Sequence, residues 1–505
     1  MRKPGLSLVR VVGSFLVASS VALPQRGAGD WMTSGFDAQR SFWIRTDAKI
    51  AKDRLVKEGF QFLWKSGSEK NANRQAAVTA PLSLGYYIGY RGFRSFVFAS
   101  GGDNVVFAID SDLQRLEWEK RLDAAPPSSA SAPCATGFAP SLTRPTVSTF
   151  PVTPAGTGGA GRASAAKSAV GAPNEGAALL AEIAARAAAA ARAPRRPNPA
   201  PVNTPTVGLV HAIASDGKLH SMYLSNGDEP QPAVTFLAPY AKVHGFTVTG
   251  GFAYAAAAPN CGDAAKSVWA LDLASKQVTS WEAPGGIAGS AGPAFGPDTT
   301  LYITTADGQL VALEAKTLRH KGAYRSGTAG FATSPVVFEY KGKTVVAAMA
   351  KDGSIQLVDP VAIKTSLAKT ASGVTGSMPS ALASWRDSAG TRWILVATGS
   401  AIAAWKVVEQ NGALSLVRGW ISREIDSPMT PMIVNGVVFA VSSGARSSHA
   451  VLYAFDGTSG KELWNSGTTI ATSIPPNGGL STGNSQIYVG GADGNIYTFG
   501  FPMEH

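Results

Sequence analysis

The chain has 505 residues, of which 45% are apolar and only 16% are charged, with 55 glycines, 31 prolines and 2 cysteines. This composition favours a turn-rich β protein and argues against a disordered or mainly helical chain. The net charge of +11 does not indicate a nucleic-acid partner, because most of it lies at the N-terminus and in one Ala/Pro-rich stretch, leaving no basic groove.

Residues 1–29 have the pattern of a secretory signal peptide. Arg2 and Lys3 precede an apolar run from Val11 to Leu23, and small residues follow at 27–29. The run is shorter than the ~20 residues that a membrane-spanning helix needs. We therefore expect a periplasmic or secreted protein without a transmembrane segment. No cysteine lies near the cleavage region, so we do not expect a lipoprotein.

A polar, aromatic lead-in at residues 30–40 is followed by a strand-like stretch from Phe60 to Lys65. The sequence around Trp64 resembles that around Trp464, while the C-terminal hairpin lacks a following strand. We predict that Phe60–Lys65 pairs with Asn495–Phe499, because this closure leaves no open sheet edge.

A repeat is clearest at residues 454–464, where an apolar strand ends in Asp456, a Thr-Ser-Gly-Lys turn follows, and a short strand ends in Trp464. The closing aromatic should dock between neighbouring sheets, with the ring N–H of a tryptophan available for a hydrogen bond. The aromatic residues at such positions are Trp64, Trp118, Trp281, Tyr324 and Trp464.

Turn sequences give the repeat its spacing. They lie at Asp103-Asn104, Asp216-Gly217, Gly262-Asp263, Asp307-Gly308, Asp352-Gly353, Gly399-Ser400, Gly444-Ala445 and Asp493-Gly494. From Asp216 onward, successive turns are 45 to 49 residues apart, the period of a four-stranded propeller blade. The sequence predicts an all-β, eight-bladed β-propeller of four-stranded antiparallel blades, one domain over residues 30–505.

An insertion at about residues 126–205 lengthens the first step to 113 residues. It is rich in Ala, Pro, Ser and Gly, with a predicted strand start at Thr143–Val147 and a predicted helix at 175–193. Its composition is also that of a partly ordered linker.

The repeat at 454–464 and the ring of eight resemble the pyrroloquinoline quinone (PQQ) repeat family, from about residue 30 to the C-terminus apart from the insertion. That family contains quinoprotein dehydrogenases, an outer-membrane assembly lipoprotein and other exported propellers. For the enzymes, the resemblance implies a quinone over Ca²⁺, held by Glu, Asn and Asp, beside a disulfide of adjacent cysteines. This chain has no adjacent cysteines, and residues 285–295, 326–335 and 370–381 contain no Asp or Glu, so a Ca²⁺ site is poorly supported.

We therefore expect a monomeric, non-catalytic binding or scaffold protein without a metal or cofactor. The alternative is a PQQ-dependent dehydrogenase of alcohols or sugars, with PQQ and calcium in an atypical pocket. Propellers commonly bind ligands at the mouth of the channel, where segments join one blade to the next. The candidates there for contact with a protein partner or small ligand are Arg144, His244, Arg325, Ser334 and Thr430.

The two cysteines, Cys134 and Cys261, are expected to form a disulfide in an oxidising compartment. Spacing alone does not establish their proximity, and two free thiols are the alternative.

Overall fold

The computed structural model describes residues 29–57, 59–69, 77–89, 92–125, 138–146, 208–258, 267–327, 329–371, 379–444 and 449–502. Both cysteines, almost all of the predicted signal peptide, and most of the insertion, including the helix predicted at 175–193, lie outside these ranges. Those features stay predictions.

The N-terminal region contributes three elements before the first blade begins. They are β1 (Trp43–Ile44), α1 (Lys52–Lys57) and β2 (Gln61–Gly67).

The first four blades each contain four antiparallel strands. Blade 1 has β3 (Leu82–Gly89), β4 (Gly92–Gly101), β5 (Val105–Asp110) and β6 (Arg115–Arg121). Blade 2 has β7 (Ser141–Thr143), β8 (Leu209–Ile213), β9 (Lys218–Tyr223) and β10 (Val234–Thr235). Blade 3 has β11 (Lys242–Thr249), β12 (Phe252–Ala258), β13 (Ser267–Asp272) and β14 (Val278–Glu282). Blade 4 has β15 (Ala294–Phe295), β16 (Thr300–Thr304), β17 (Gln309–Glu314) and β18 (His320–Arg325).

The remaining blades follow the same order. Blade 5 has β19 (Val336–Tyr340), β20 (Lys343–Met349), β21 (Ile355–Val358) and β22 (Ser366–Lys369). Blade 6 has β23 (Ala383–Arg386), β24 (Arg392–Ala397), β25 (Ile402–Gln410) and β26 (Ala413–Ile421). Blade 7 has β27 (Met432–Val434), β28 (Val437–Val441), β29 (Leu452–Asp456) and β30 (Glu462–Asn465), with β1 as a fifth strand. Blade 8 has β31 (Leu480–Gly483), β32 (Gln486–Gly490) and β33 (Asn495–Gly500), completed by β2.

The first strands of the blades face the axis of the ring, and neighbours such as β3 and β31 or β7 and β11 contact one another. Because each blade is antiparallel, the turns between its second and third strands share one face with the connections between blades. We call this the upper face; the other turns form the lower face. The structure confirms the predicted eight-bladed propeller.

Ring closure also follows the prediction. The strand β2 pairs antiparallel with β33, from Gln61 opposite Gly500 to Gly67 opposite Asn495. Trp64 is 5% exposed within this sheet. The first and last parts of the chain therefore complete one blade.

The inner strands are buried on both faces, because each is covered by the blade on either side. All residues of β5 and β28 are buried, whereas β26, a fourth strand, is largely exposed. Strands buried on both faces become nearly continuous apolar runs instead of alternating ones. This burial explains why the first three strands of most repeats are so apolar.

The aspartate of the repeat caps the turn that follows the third strand. The Asp456 carboxylate accepts hydrogen bonds from the Thr458 backbone N–H at 2.8 Å and from Lys52 at 3.0 Å. Although burial opposes the charge, these hydrogen bonds from Thr458 and Lys52 lower the pKa of Asp456 to about 2. Asp110 and Asp272 bond to the backbone of their own turns in the same way. The repeat therefore encodes an Asx turn.

Docking of the closing aromatics between blades follows the prediction at Trp118. The Trp118 Nε1 donates to the Leu224 carbonyl of blade 2 at 2.9 Å. Trp420, which the repeat pattern did not identify, makes the same contact with the Gly457 carbonyl of blade 7 at 2.9 Å. Trp64 is buried, but its Nε1 has no hydrogen-bond partner. The expected ring hydrogen bond is therefore a feature of some blades only.

The other predicted aromatic residues also lie in the fourth strands of their own blades. Trp281 lies opposite Val268, and Trp464 lies opposite Ala454. The Tyr324 hydroxyl lies 2.8 Å from Gln356 Oε1 of blade 5.

The predicted strand start at Thr143–Val147 is displaced. The strand β7 ends at Thr143, and the next residues pair with the neighbouring blade, since Pro145 forms a parallel bridge with Val248. Proline cannot donate to a ladder within its own blade, which favours this early end.

Candidate functional site

Residues 29–50, which we call the channel segment, lie inside the ring. Its strand β1 pairs in parallel with β27, the first strand of blade 7, through Trp43 with Ile433 and Ile44 with Val434. Since β27 is the innermost strand of its blade, β1 occupies the axis side. The predicted lead-in is therefore part of the interior.

The channel segment bonds to the blades in their order around the ring. Its carbonyl groups at Trp31, Met32, Ala38, Gln39, Ser41 and Phe42 accept hydrogen bonds from the backbone N–H groups of Ser83, Arg144, Phe295, Val337, Ser384 and Ile433, at 2.7 to 3.0 Å. The hydroxyl of Thr33 donates to the Phe246 carbonyl of blade 3. One segment therefore bonds to the first strand of each blade from 1 to 7, or to the residue that directly follows it.

Arg40 anchors the middle of the channel segment and is 1% exposed. Its Nε donates to the Pro293 carbonyl at 2.9 Å, and its Nη1 donates to the Thr33 hydroxyl at 3.0 Å. Its Nη2 donates to Thr247 of blade 3. Burial lowers the pKa of Arg40 to about 10, although the nearby Asp37 opposes this change, so the group is still charged at neutral pH.

Three of the five residues predicted at the channel mouth make internal contacts. The Arg144 guanidinium pairs with Asp30 at 3.0 Å and donates to the Ser83 carbonyl at 2.9 Å. It therefore holds the start of the channel segment.

His244 and Ser334 lie on either side of the connection between blades 3 and 4. The His244 Nδ1 lies 2.7 Å from the Gly289 carbonyl, and the Ser334 hydroxyl accepts from the Gly292 N–H at 3.0 Å. Burial lowers the pKa of His244, with Lys242 acting in the same direction and the hydrogen bond to Gly289 opposing it. The structure brings these two residues to one connection.

The other two candidates lie apart from that connection. Arg325 is exposed at the end of β18, opposite Gln309. Thr430 is half-buried before β27. The five residues do not form one cluster, and their binding role stays a prediction.

A pocket of about 380 Å³ opens where the channel segment meets the lower face. We call it the lower-mouth pocket. Trp43 and Arg45 of the channel segment line one side, and blade 5 contributes Phe338 and Glu339. The end of β23 contributes Arg386, and the start of β24 contributes Arg392. No local motif marked these residues, because they come from three distant parts of the chain.

Arg392 is the most buried arginine of this pocket, at 6% exposure. Its guanidinium carbon lies 5.5 Å from the Trp43 ring centroid and 5.2 Å from that of Phe338. Its Nη2 donates to the Glu339 carbonyl at 2.9 Å, whereas its Nε has no partner. Burial and the charges of Arg386 and Arg45 lower the pKa of Arg392 to about 10, with Glu339 opposing them.

Comparison with known proteins identifies relatives in fold only. No family model matches the chain, and no curated protein matches its sequence. A quinohemoprotein alcohol dehydrogenase from Comamonas testosteroni is 12% identical with a TM-score of 0.54, over 94% of this chain and 81% of that one. BamB from Moraxella catarrhalis is 11% identical with a TM-score of 0.50, over 88% and 99%. Sqt1 from Saccharomyces cerevisiae is 12% identical with a TM-score of 0.55, over 88% and 99%. The fold is therefore similar to that of quinoprotein dehydrogenases and of BamB.

The Ca²⁺ that accompanies PQQ in the family resemblance does not fit the residues on the axis. The buried, positively charged Arg40 lies there, and like charges repel strongly at low dielectric constant. The Asp37 carboxylate already accepts from the Ser41 N–H at 2.9 Å and the Ser41 hydroxyl at 2.7 Å. A Ca²⁺ ion needs six to eight oxygen ligands, so binding one at this carboxylate would break these hydrogen bonds.

The described part of the chain has neither a cluster of metal-binding side chains nor a membrane-spanning helix. No group of three or more His, Cys, Asp or Glu side chains there could hold a metal ion. Among the same residues, no helix has the length and apolar character that a membrane crossing requires.

Proposed function

We propose that this protein is an exported, non-catalytic binding propeller whose ligand or partner contacts a mouth of the ring and not its interior. The observation that carries the proposal is the hydrogen bonding of the channel segment to blades 1 to 7. A segment held at so many points is part of the folded core, so only the ends of the channel are available for binding.

The alternative, a PQQ-dependent dehydrogenase, is favoured by the fold it shares with a quinohemoprotein alcohol dehydrogenase. Fold alone does not choose between these functions, since one propeller architecture carries many activities. The enzyme would need the channel segment to leave the axis. It would also have to replace the bonds of Arg40, which are all buried or partly buried.

Hydrogen exchange combined with a turnover assay tests the proposal. In the purified ligand-free protein, we expect slow exchange of the backbone amides of Phe295, Val337 and Ser384, which donate to the channel segment. We also expect no dye-linked oxidation of alcohols or sugars after incubation with PQQ and Ca²⁺. Turnover, together with fast exchange at these three amides, would establish the dehydrogenase instead.

The amide of Val106 in β5, the third strand of blade 1, is a suitable reference, because its residue is fully buried and its strand pairs with β4 and β6. Equal protection at Val106 and at the three reporter amides would place the channel segment in the stable core. Protection at Val106 alone would show a segment that opens separately.

A further inference from the structure

We propose that the lower-mouth pocket binds a small molecule carrying a carboxylate or phosphate group, which Arg386 and Arg392 hold beside Trp43. The inference rests on the proposed binding function and names the chemistry of the ligand. It concerns the face opposite to the one on which Arg144, His244 and Ser334 were predicted to act.

The first argument is the excess of positive charge. Arg45, Arg386 and Arg392 line the pocket together with only two carboxylates, Asp37 and Glu339. Among the described residues, no carboxylate lies within ion-pair distance of Arg386 or Arg392. Like charges gathered in one partly buried place repel each other, and an oxyanion would relieve that repulsion.

The two carboxylates of the pocket are turned to their own neighbours. Asp37 accepts from the backbone and hydroxyl of Ser41. Glu339 accepts from the Gly342 N–H at 3.1 Å. Each acidic group therefore has a hydrogen-bond partner of its own, and Arg386 and Arg392 are the groups that face the proposed ligand.

The second argument is the unused donor on Arg392. Its Nε is buried without a partner, although buried donors are nearly always bonded. The rings of Trp43 and Phe338, both within 6 Å of its guanidinium, restrict its orientation. A restricted arginine with a free donor is suited to recognising a carboxylate or phosphate, whose oxygens match the guanidinium geometry.

The third argument is the size of the pocket. Its volume of about 380 Å³ lies within the range of roughly 300 to 1,000 Å³ that is usual for small-molecule sites. A concave pocket of this size, walled by Trp43 and Phe338, suits a small anionic ligand better than a flat protein surface.

Isothermal titration calorimetry of the full exported chain with citrate and, separately, with inorganic phosphate tests the proposal. We expect at least one of these probes to bind at one site per chain, and the probe that binds identifies the oxyanion. Arg386→Ala should weaken binding by about tenfold or more, the loss expected for a charge-assisted hydrogen bond. Arg386 is exposed, so this variant should fold normally.

Arg392→Met serves as the second variant, with its melting temperature compared to that of the wild type, and should lose as much affinity as Arg386→Ala. Arg319→Ala is the matched control, since its side chain is 77% exposed on the same face of blade 4 and carries the same charge. The proposal is overturned if neither probe binds, if Arg386→Ala binds as the wild type does, or if Arg319→Ala weakens binding equally. Those results would not contradict the proposed non-catalytic function. Turnover with PQQ would contradict that function but would not test anion binding in this pocket.

Discussion

Two buried histidines of blade 2 have opposite electrostatic surroundings. His211 lies in β8, where its Nδ1 is 2.9 Å from the Ser221 hydroxyl and its Nε2 has no partner. Burial, assisted by the charge of Lys276, lowers the pKa of His211 to about 4. His220 in β9 lies 3.3 Å from Asp216 and 3.2 Å from Glu229. Burial opposes its protonation, but these carboxylates raise the pKa of His220 above its usual 6.5.

The two groups should contribute to stability in opposite directions as pH changes. Protonated His220 stabilises the fold fully below pH 6.5, and this contribution is lost as pH rises through the raised pKa. The difference in free energy of unfolding between the wild type and His220→Gln should therefore shrink as pH rises above 6.5. The fold holds His211 neutral, whereas the unfolded chain binds a proton at this residue as pH falls from 6.5 towards 4. The difference in free energy of unfolding between the wild type and His211→Gln should therefore shrink as pH falls.

Urea unfolding of the wild type and both variants, at intervals across about pH 5 to 8, measures these differences. The slope for either residue cannot exceed about 1.4 kcal/mol per pH unit, since each binds one proton. Each variant is the control for the other, because unrelated effects of pH on the ring would act on both in the same direction. Parallel profiles for the three proteins would show that neither histidine has the expected environment.

Single residues also show what the sequence could predict. Asp456, Asp110 and Trp118 were identified because their turn chemistry is local and recurs at a fixed spacing. Trp420 has the same function as Trp118, yet the repeat before it has an Asn411-Gly412 turn and a longer hairpin. The hydrogen bond of Trp420 is made to the neighbouring blade, so no pattern in the residues next to Trp420 could predict it.

At the scale of elements, the channel segment is the part of the fold whose position the sequence did not predict. It has no regular apolar period, and Phe36, Arg40 and Phe42 adopt positive φ angles of 77°, 61° and 54°. Such angles are unfavourable for residues other than glycine and persist only when tertiary contacts impose them. The lower-mouth pocket was missed for a related reason, since Arg45 joins Arg386 and Arg392 only through the path of this segment.

Arg40 should be the most sensitive residue of the channel segment. Arg40→Met keeps an unbranched apolar stem but removes the donors that Arg40 supplies to the Pro293 carbonyl and to the hydroxyls of Thr33 and Thr247. We expect a loss of roughly 3 to 5 kcal/mol in the free energy of unfolding, the range for breaking a buried charged network.

Guanidinium unfolding followed by tryptophan fluorescence measures this loss. Arg319→Met, at an exposed position on blade 4, is the control and should leave stability almost unchanged. A small effect of Arg40→Met, equal to that of the control, would mean that the channel segment adds little to the fold.

At the scale of the whole molecule, the ring depends on contacts between its two ends. The sequence predicted this closure well, because the missing fourth strand and the extra N-terminal strand could be counted. Phe60 packs edge-on against Trp464 at 4.9 Å and against Phe501 at 5.4 Å between ring centroids. The N-terminal region therefore joins blade 7 to blade 8 as well as completing blade 8.

Two truncations separate the closing strand from the channel segment. A chain that begins at residue 59 lacks the channel segment and α1 but keeps β2, whereas one that begins at residue 67 also loses Phe60 and Trp64. The second chain exposes the edge of β33 and removes two buried aromatic side chains, each worth roughly 3 to 5 kcal/mol in a core.

We expect each truncation to lower the melting temperature and the second truncation also to cause self-association, because an open strand edge pairs with other chains. Differential scanning calorimetry and light scattering measure both effects, with removal of residues 503–505 as the control for trimming an end. If the two truncated chains melt together and both stay monomeric, β2 does not close the ring in solution.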